Sequence, residues 1–515
     1  MQTPVSMDIR ENKAYVEAVC ADCVDIIRQE VHFGKEQKTE GLLVFVEVTA
    51  SNVLLQESVM GRLFARLDGL APGELAAVLE ENRMGVSRSK QLATMEDAMA
   101  GMLTGDMVLF VDGYDKAIQL ADKGYPGKPV GNCEAEKVIR GSSEGFTDSV
   151  KINEALVRKR IRSTGMKAVE LRKGIRSNTT VAILYMEELV DPSFLKQLQD
   201  GLEKYVIDGI FDGGTLEQLL EKDWMSPFPQ FQSTQRPDRT AMELLDGRVA
   251  VICDNSPTAL LFPAGFSSYL RVSEDRYNRF ELVTFERLLR YGAMLAALLI
   301  SGLYLSVINF HTQILPTPLL LSLAEARSGV PFPALIEVLI MEISFEMIRE
   351  AGVRMPGPLS GTIGIVGGLI IGDAAVSANL VSPMSVIVVA FSALSSFAVP
   401  DEELSAALRL VKYLFILLGG FLGLAGIAGG LYLMGLHLCG LESFGVPYLR
   451  IGKPKTLDKN DRIWRAPMRF LRYRPYYVPR DQAVRLRENS GKAEETKMNV
   501  KKTRSVRKSN QGGRA

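Results

Sequence analysis

The sequence predicts a soluble α/β N-terminal half with two subdomains, followed by an α-helical polytopic membrane domain. Two observations favour this division. As far as about residue 268, short apolar runs of strand length alternate with charged stretches of helical periodicity. From residue 291 onward, four long apolar runs follow within about 150 residues and contain a single acidic residue among them.

The soluble half is rich in strand-length runs with β-branched residues, separated by helical stretches. A turn-rich segment, GSSEG at 141–145, separates two such groups, so we predict subdomains at residues 1–140 and 141–285. The proline-containing run 226–239 is predicted to be a surface loop. The clearest predicted strands are 42–48, 107–111, 180–185 and 249–253, and the clearest predicted helices are 153–162 and 192–205.

The predicted membrane domain, residues 286–445, contains about four spans. Runs of this length reach across most of a bilayer core of about 30 Å. Four of them are hard to bury in a water-soluble enzyme, which is the alternative interpretation. The runs are 291–308, 363–381, 383–399 and 413–436.

A fifth apolar stretch, residues 332–348, differs because it carries Glu337, Glu342 and Glu346. Each carboxylate in the middle of a bilayer costs about 2.5–3.5 kcal/mol on insertion scales. We therefore predict an interfacial or re-entrant helix, or a helix buried among protein neighbours.

Charge predicts the orientation. Residues 449–515 carry a net charge of +14, so the preceding residues carry −14, because the whole chain is neutral. The positive-inside rule places this tail and the arginines before residue 291 in the cytoplasm, which requires an even number of crossings. The tail, 446–515, mixes basic residues with aromatics, which favours membrane lipids over nucleic acid as its partner, and its end is predicted to be disordered.

Small residues and one acid stand out in the run 363–381. Gly364, Gly368 and Gly372 recur every four residues, and Gly367 widens the stripe. Such a stripe either packs ordinary helices or forms an oligomer interface or pore wall. Asp373 beside it is either a functional intramembrane carboxylate, or it lies near a helix end or pairs with Arg349 or Arg354.

A second candidate is the acidic face that Glu342, Glu346 and Glu350 form at helical spacing. Such a face either lines an aqueous vestibule that favours cations or is a solvated face with Arg349 as partner.

The sequence offers little for catalysis. GSSEG matches the G-x-S-x-G pattern with Ser143 in the nucleophile position, but no clear strand leads into it and no histidine follows it in the soluble half. Neither a phosphate-binding GxxxxGK[ST] nor a zinc-binding HExxH motif occurs. The five scattered cysteines favour a reducing compartment. We expect no catalytic residue, metal or cofactor.

From residue 310 onward, and at several places upstream, the sequence resembles the spore germination protein A family. The longest matching segment is IGIVGGLIIGDAAV at 363–376, and the resemblance covers about residues 140–480. Asp373 stands where many members of that family have Glu. Other matching segments are EGF at 144–146, RPD at 236–238, GRV at 247–249, VPFP at 330–333, REAG at 349–352, LVSP at 380–383 and RAP at 465–467.

The resemblance implies an A subunit of a germinant receptor in the inner spore membrane, and the charge pattern predicts that both its termini are cytoplasmic. It implies a transporter-like B subunit and a lipoprotein C subunit as partners, and self-association into a nutrient-gated ion channel. A paralogous branch, the stage V sporulation AF type, supports germination as an accessory membrane protein without being a receptor, and it fits the residues equally.

Overall fold

A computed structural model of the chain describes residues 3–33, 39–47, 89–120, 133, 136–353, 372–449, 461 and 463–486. Two α/β units come first, and a helical bundle follows them. The predicted fold class is confirmed, whereas the exact subdomain boundaries stay predictions.

In its described residues, the first α/β unit is a five-stranded antiparallel sheet with two helices packed on it. The strand order is β1-β2-β4-β5-β3. Burial of whole strands, as in 107–111, explains why these segments read as continuous apolar runs. The elements are α1 (Ile9–Val19), β1 (Ile26–Phe33), β2 (Thr39–Val46), β3 (Ser89–Leu92), α2 (Met95–Leu103), β4 (Met107–Val111) and β5 (Ala117–Leu120).

The second α/β unit repeats this strand order in a sheet arranged β6-β7-β9-β10-β8, again antiparallel throughout. The predicted strands at 180–185 and 249–253 are confirmed. Its elements are α3 (Val150–Arg158), β6 (Met166–Lys173), β7 (Thr179–Met186), α4 (Pro192–Lys204), α5 (Gly213–Leu220), β8 (Gln232–Thr234), α6 (Pro237–Leu244), β9 (Val249–Cys253), β10 (Ala259–Phe262) and α7 (Phe266–Tyr269).

The first helix of each unit begins with the same pattern of hydrogen bonds. Asn12 exchanges two hydrogen bonds with the backbone of Ser6, and Asn153 does the same with Thr147. The N–H of Ile9 donates to Asp112 Oδ1 at 3.2 Å, and the N–H of Val150 donates to Asp254 Oδ1 at 3.0 Å. Both aspartates directly follow a central strand. The soluble half is therefore an internal structural duplication.

The prediction of a surface loop at 226–239 is wrong. This segment contains β8 and the start of α6, and the side chains of Phe231, Gln232 and Arg236 are almost completely buried. Prolines at 227, 229 and 237 were misleading, because Pro237 occupies the first turn of a helix, where its missing N–H costs nothing.

The described helices of the bundle run either away from the α/β units or back toward them, and the helices that carry Glu337 and Ser385 are parallel neighbours. Ser392 Oγ donates to the carbonyl of Ala297 at 3.2 Å and Tyr304 contacts Ser385 at 3.2 Å, so the helices carrying these pairs are antiparallel. The helices are α8 (Phe280–Phe310), α9 (Thr317–Arg327), α10 (Ala334–Val353), α11 (Pro383–Phe397) and α12 (Glu402–Gly440).

The run 413–436, predicted as one span, is instead folded back on itself. At Gly423 the backbone has φ 64° and ψ −148°, a conformation reserved for glycine, and α12 divides there into two arms. Beyond this point, Gly426 meets the backbone of Leu418, and Gly430 faces the ring of Phe415. Residues fifteen apart lie about 22 Å apart in a straight helix, so these contacts require a hairpin.

Glycines let the first arm of α12 approach α8. A Cβ built on Gly302 lies 2.5 Å from the carbonyl oxygen of Phe415, and Gly419 meets the backbone of Gly302. Among the described residues, α8 and α12 have the length and composition to cross a membrane. Because of the hairpin, α12 counts as two arms of 21 and 17 residues rather than one helix of 39.

The chain after α12 returns to the second α/β unit. A short hairpin of β11 (Glu442–Ser443) and β12 (Val446–Pro447) places the Phe444 ring 4.1 Å from that of Phe262. In the tail, Tyr476 and Tyr477 pack against the same core. The prediction that the tail aromatics face lipid is therefore wrong for these two tyrosines, whereas Trp464 and Phe470 are exposed.

Candidate functional site

The acid-bearing segment 332–348 forms the middle of the bundle. Helix α10 contacts α8, α11 and α12, and it brings its first two acids inside. Glu337 and Glu342 are 0% and 1% exposed. Of the locations predicted for this segment, the structure therefore shows burial among protein neighbours.

Glu337 lies at the end of the bundle distant from the α/β units, where it accepts several hydrogen bonds. Its carboxylate accepts from Arg327 at 3.0 Å, from the N–H of Ser382 at 3.0 Å and from Ser385 Oγ at 3.0 Å. Three donors from two other segments replace the water that this carboxylate loses on burial.

Glu342 forms the central pair of the bundle. Lys412 of α12 donates to Glu342 Oε2 at 2.5 Å, and Ser301 of α8 donates to Oε1 at 2.7 Å. The side chain of Lys412 is also buried. Sequence reasoning missed this lysine because it directly precedes the uncharged run, and its place could have signalled a base facing the acidic helix.

Glu346 and Arg349 lie one turn closer to the α/β units. Arg409 is 3.3 Å from Glu346 Oε1, and Arg349 is 3.8 Å from Oε2. Arg349 also donates to Ser396 Oγ at 2.6 Å and lies over the ring of Phe397. Glu350, the last acid of the predicted face, is exposed.

The carboxylates of α10 thus form a row in which a base supplied by another part of the bundle neutralises each of the first three. The expectation of a solvated face does not hold for Glu342, which is dry and paired. In this structure Glu337, Glu342 and Glu346 each face a base, and the vestibule alternative stays a prediction.

The predicted glycine stripe is only partly visible. Gly364, Gly367, Gly368 and Arg354 lie outside the described residues. Gly372 is buried, and a Cβ built on it would lie 3.6 Å from Val386. Asp373 is exposed on the outer surface of the bundle.

A second group of carboxylates lies where the α/β half meets the first arm of α12. Burial, and next the charge of Glu403, raise the pKa of Glu217 to about 9. Glu403, the neighbouring carboxylate, accepts a hydrogen bond from Ser233 Oγ at 2.9 Å. Burial likewise raises the pKa of Asp401 to about 6. Burial and the nearness of like charges therefore favour the protonated form of Glu217 at this junction, so that the two carboxyl groups can share a proton.

The segment that matched the hydrolase pattern has structural contacts. Arg236, buried in the second unit, donates to the carbonyl of Ser142 at 2.7 Å and to Asp238 at 2.9 Å. Glu144 is paired with Lys159 and Arg160. Within the described part of the chain, no three His, Cys, Asp or Glu side chains are grouped to hold a metal ion.

Comparison with known proteins explains why these segments resembled one family. The sequence model described as "Bacillus/Clostridium GerA spore germination protein" matches residues 14–477. The chain belongs to the GerA spore germination family. The match begins near the N-terminus, so it also includes the first α/β unit, where the residue-level resemblance was weakest.

Individual relatives agree with this assignment. The chain is 36% identical to the uncharacterized membrane protein YfkQ of Bacillus subtilis, over 92% of this chain and 91% of that protein. It is 32% identical to spore germination protein KA of the same organism, over 93% and 88%. With spore germination protein GerLA of Bacillus cereus the identity is 35%, over 77% and 81%.

One solved structure, the N-terminal domain of the A subunit of the Bacillus megaterium spore germinant receptor GerK3, is similar at 22% identity and a TM-score of 0.41. It covers 52% of this chain and 98% of that chain. At this TM-score, the family assignment rests on the sequence matches alone.

Proposed function

We propose that this chain is the A-type membrane subunit of a spore germinant receptor and that copies of it assemble around an ion-conducting pore. The family and its relatives named as spore germination proteins support the role in germination. The partners proposed are a transporter-like B subunit and a lipoprotein C subunit in the inner spore membrane. No catalytic role is proposed.

The observation that carries the pore proposal is the exposure of Asp373 on an otherwise apolar helical surface. Exposed apolar side chains elsewhere on the same bundle include Ile387, Phe391 and Leu394. An ionised carboxylate facing hydrocarbon is costly, so Asp373 needs water or another protein surface. A water-filled channel between copies of the chain supplies both.

The paired interior favours a channel between copies over one through a single bundle. Glu337 and Glu342 are buried and compensated by bases, so within the described helices these two acids do not offer an unpaired charge to a cation. Asp373, together with the predicted stripe of Gly364, Gly367, Gly368 and Gly372, would instead line the shared wall.

The test uses spores that carry Asp373→Asn or Asp373→Glu at normal protein level. We expect Asn to slow nutrient-triggered cation release and Glu to preserve it, because Glu keeps the charge at the pore wall. The matched control is Glu325→Gln, which removes an exposed carboxylate from α9. Cation release by Asp373→Asn spores at the control rate would contradict the pore proposal.

A second function is supported by the same paired interior. An accessory membrane protein of the stage V sporulation AF type acts as a scaffold, and it needs a stable bundle rather than a conducting one. It predicts that the Asp373 variants germinate normally, whereas loss of the α/β half abolishes function.

A further inference from the structure

Both tryptophans of the chain are exposed. Trp224 is 77% exposed and Trp464 is 70% exposed, and the sequence contains no others. Tryptophan in a folded protein is normally well buried, and the prominent exception is the interface between membrane and water. The two residues are distant in sequence, yet both lie where the α/β half meets the bundle.

Trp224 lies beside the end of the returning arm of α12. Two residues further on, Ser226 Oγ is 2.9 Å from Nε2 of His437, in the last turn of that arm. The exposed apolar surface of the arm reaches Leu436, directly before this histidine. Met225 is 79% exposed next to Trp224. The loop therefore lies at the edge of the apolar surface.

Trp464 lies beside the start of α8. The N–H of the next residue, Arg465, donates to Thr284 Oγ1 at 3.3 Å. Around Thr284, Phe285 is 59% exposed. Trp464 also shares the lining of a cavity of about 510 Å³ with Tyr291, where the first uncharged run begins. This edge of the apolar surface again carries an exposed tryptophan.

We propose that Trp224 and Trp464 insert into the headgroup region of one leaflet and dock the α/β half onto the bilayer surface. The partner is anionic phospholipid, because the exposed arginines Arg469 and Arg472 accompany Trp464 in the tail. Both exposed tryptophans lie at the end of the apolar surface that adjoins the α/β half, which is where the headgroups of one leaflet would meet it. This inference rests on the proposed membrane location of the bundle.

Tryptophan fluorescence tests the inference directly, because these two residues are the only tryptophans of the chain and the nanodisc belt is chosen to contain none. The full-length chain is placed in nanodiscs of phosphatidylglycerol and phosphatidylcholine, brominated either near the headgroup or near the acyl-chain end. Trp224→Phe and Trp464→Phe each isolate the other tryptophan. We expect each to be quenched at least about twofold more strongly by the shallow bromine than by the deep one.

A reporter in the bundle separates this inference from the proposed membrane location. Leu433→Trp, introduced together with both Trp→Phe changes, occupies an exposed apolar position on α12 and should be quenched by the deep bromine. If this reporter is quenched while Trp224 and Trp464 are not, the docking inference is overturned and the membrane location stands. If neither the shallow nor the deep bromine quenches the reporter, the docking inference and the proposed membrane location are both overturned.

Acrylamide in the aqueous phase identifies the remaining alternative. Native tryptophans that resist both bromine and acrylamide are covered by protein, from a second copy or another subunit, and this result also overturns the inference. The double variant Arg469→Gln/Arg472→Gln tests whether the lipid partner is anionic. If these changes weaken quenching by the shallow bromine in nanodiscs that contain phosphatidylglycerol, but not in nanodiscs of pure phosphatidylcholine, anionic lipid is supported as the partner.

Discussion

The buried pair of Glu342 and Lys412 gives the sharpest test of the bundle. Lys412→Met leaves the Glu342 carboxylate in a dry site with Ser301 as its remaining donor. Breaking one side of a buried ion pair typically costs about 3–5 kcal/mol. Protonating an ordinary glutamate at neutral pH costs about 4 kcal/mol, which limits the loss because the acid can become neutral instead. We therefore expect a loss of about 3–4 kcal/mol.

The double variant Glu342→Leu/Lys412→Met shows whether stability is lost because a buried charge is left unpaired or because the side-chain packing has changed. Replacing both charges by apolar side chains of similar volume is often neutral or stabilising, so it should recover most of the loss. Glu325→Gln is the matched control, because this carboxylate on α9 is exposed and its loss should change stability by less than about 0.5 kcal/mol.

The assay is thermal unfolding of the full chain in detergent, followed by the helical circular dichroism signal. A loss of 3–4 kcal/mol corresponds to a fall of about 6–16 °C in the apparent midpoint for a unit of this size. If Lys412→Met melts like the control, the pair is not buried as the structure has it. A double variant that loses as much stability as Lys412→Met, or more, would also refute the reasoning.

Three further predictions follow from the hairpin, the helix contact and the junction. Gly430 faces Phe415, so Gly430→Leu should lower the melting midpoint by several degrees. Gly429→Leu is the control and should leave the midpoint unchanged, because a Cβ at Gly429 meets open space. Equal effects of the two changes would indicate a straight helix. Gly419→Leu should prevent the close approach to α8, and the full chain should then fail to elute as a single species in size-exclusion chromatography. The pKa of Glu217 is raised to about 9 from an ordinary 4.5, so the folded state holds this proton more tightly than the unfolded state does. Relative to Glu217→Gln, the free energy of unfolding of the wild type should therefore fall by at most about 1.4 kcal/mol per pH unit as the pH rises from 4.5 to 9. Parallel denaturation curves for these two proteins across that pH range would contradict the shared proton.

Local pattern was a good guide wherever a segment is buried evenly along its length. The strands 107–111 and 249–253 were predicted with their observed bounds, because strands covered on both faces read as unbroken apolar runs. The helix predicted at 192–205 ends one residue earlier, at Lys204. Pattern failed at 226–239, where prolines that begin a buried helix look the same as prolines in a loop.

The duplication of the α/β units was invisible in the sequence because it is carried by topology and a few hydrogen bonds rather than by repeated residues. Asn12 and Asn153 occupy equivalent places, but their surroundings share almost no sequence. The candidate site was half predicted. Its acids on α10 were named from their position in an apolar run, whereas their bases, Arg327, Lys412 and Arg409, come from distant segments.

By itself, the sequence determined the fold class, the family and which acidic residues lie within an apolar stretch. It could do so because hydropathy and residue motifs are local properties. The tertiary structure alone decided that α12 turns back at Gly423, that the α10 acids are neutralised, and that Asp373 is left facing outward. The physical reason is that one glycine with positive φ changes the direction of the chain without changing its hydropathy. The partner of a buried charge, in turn, depends on which distant helix packs against it.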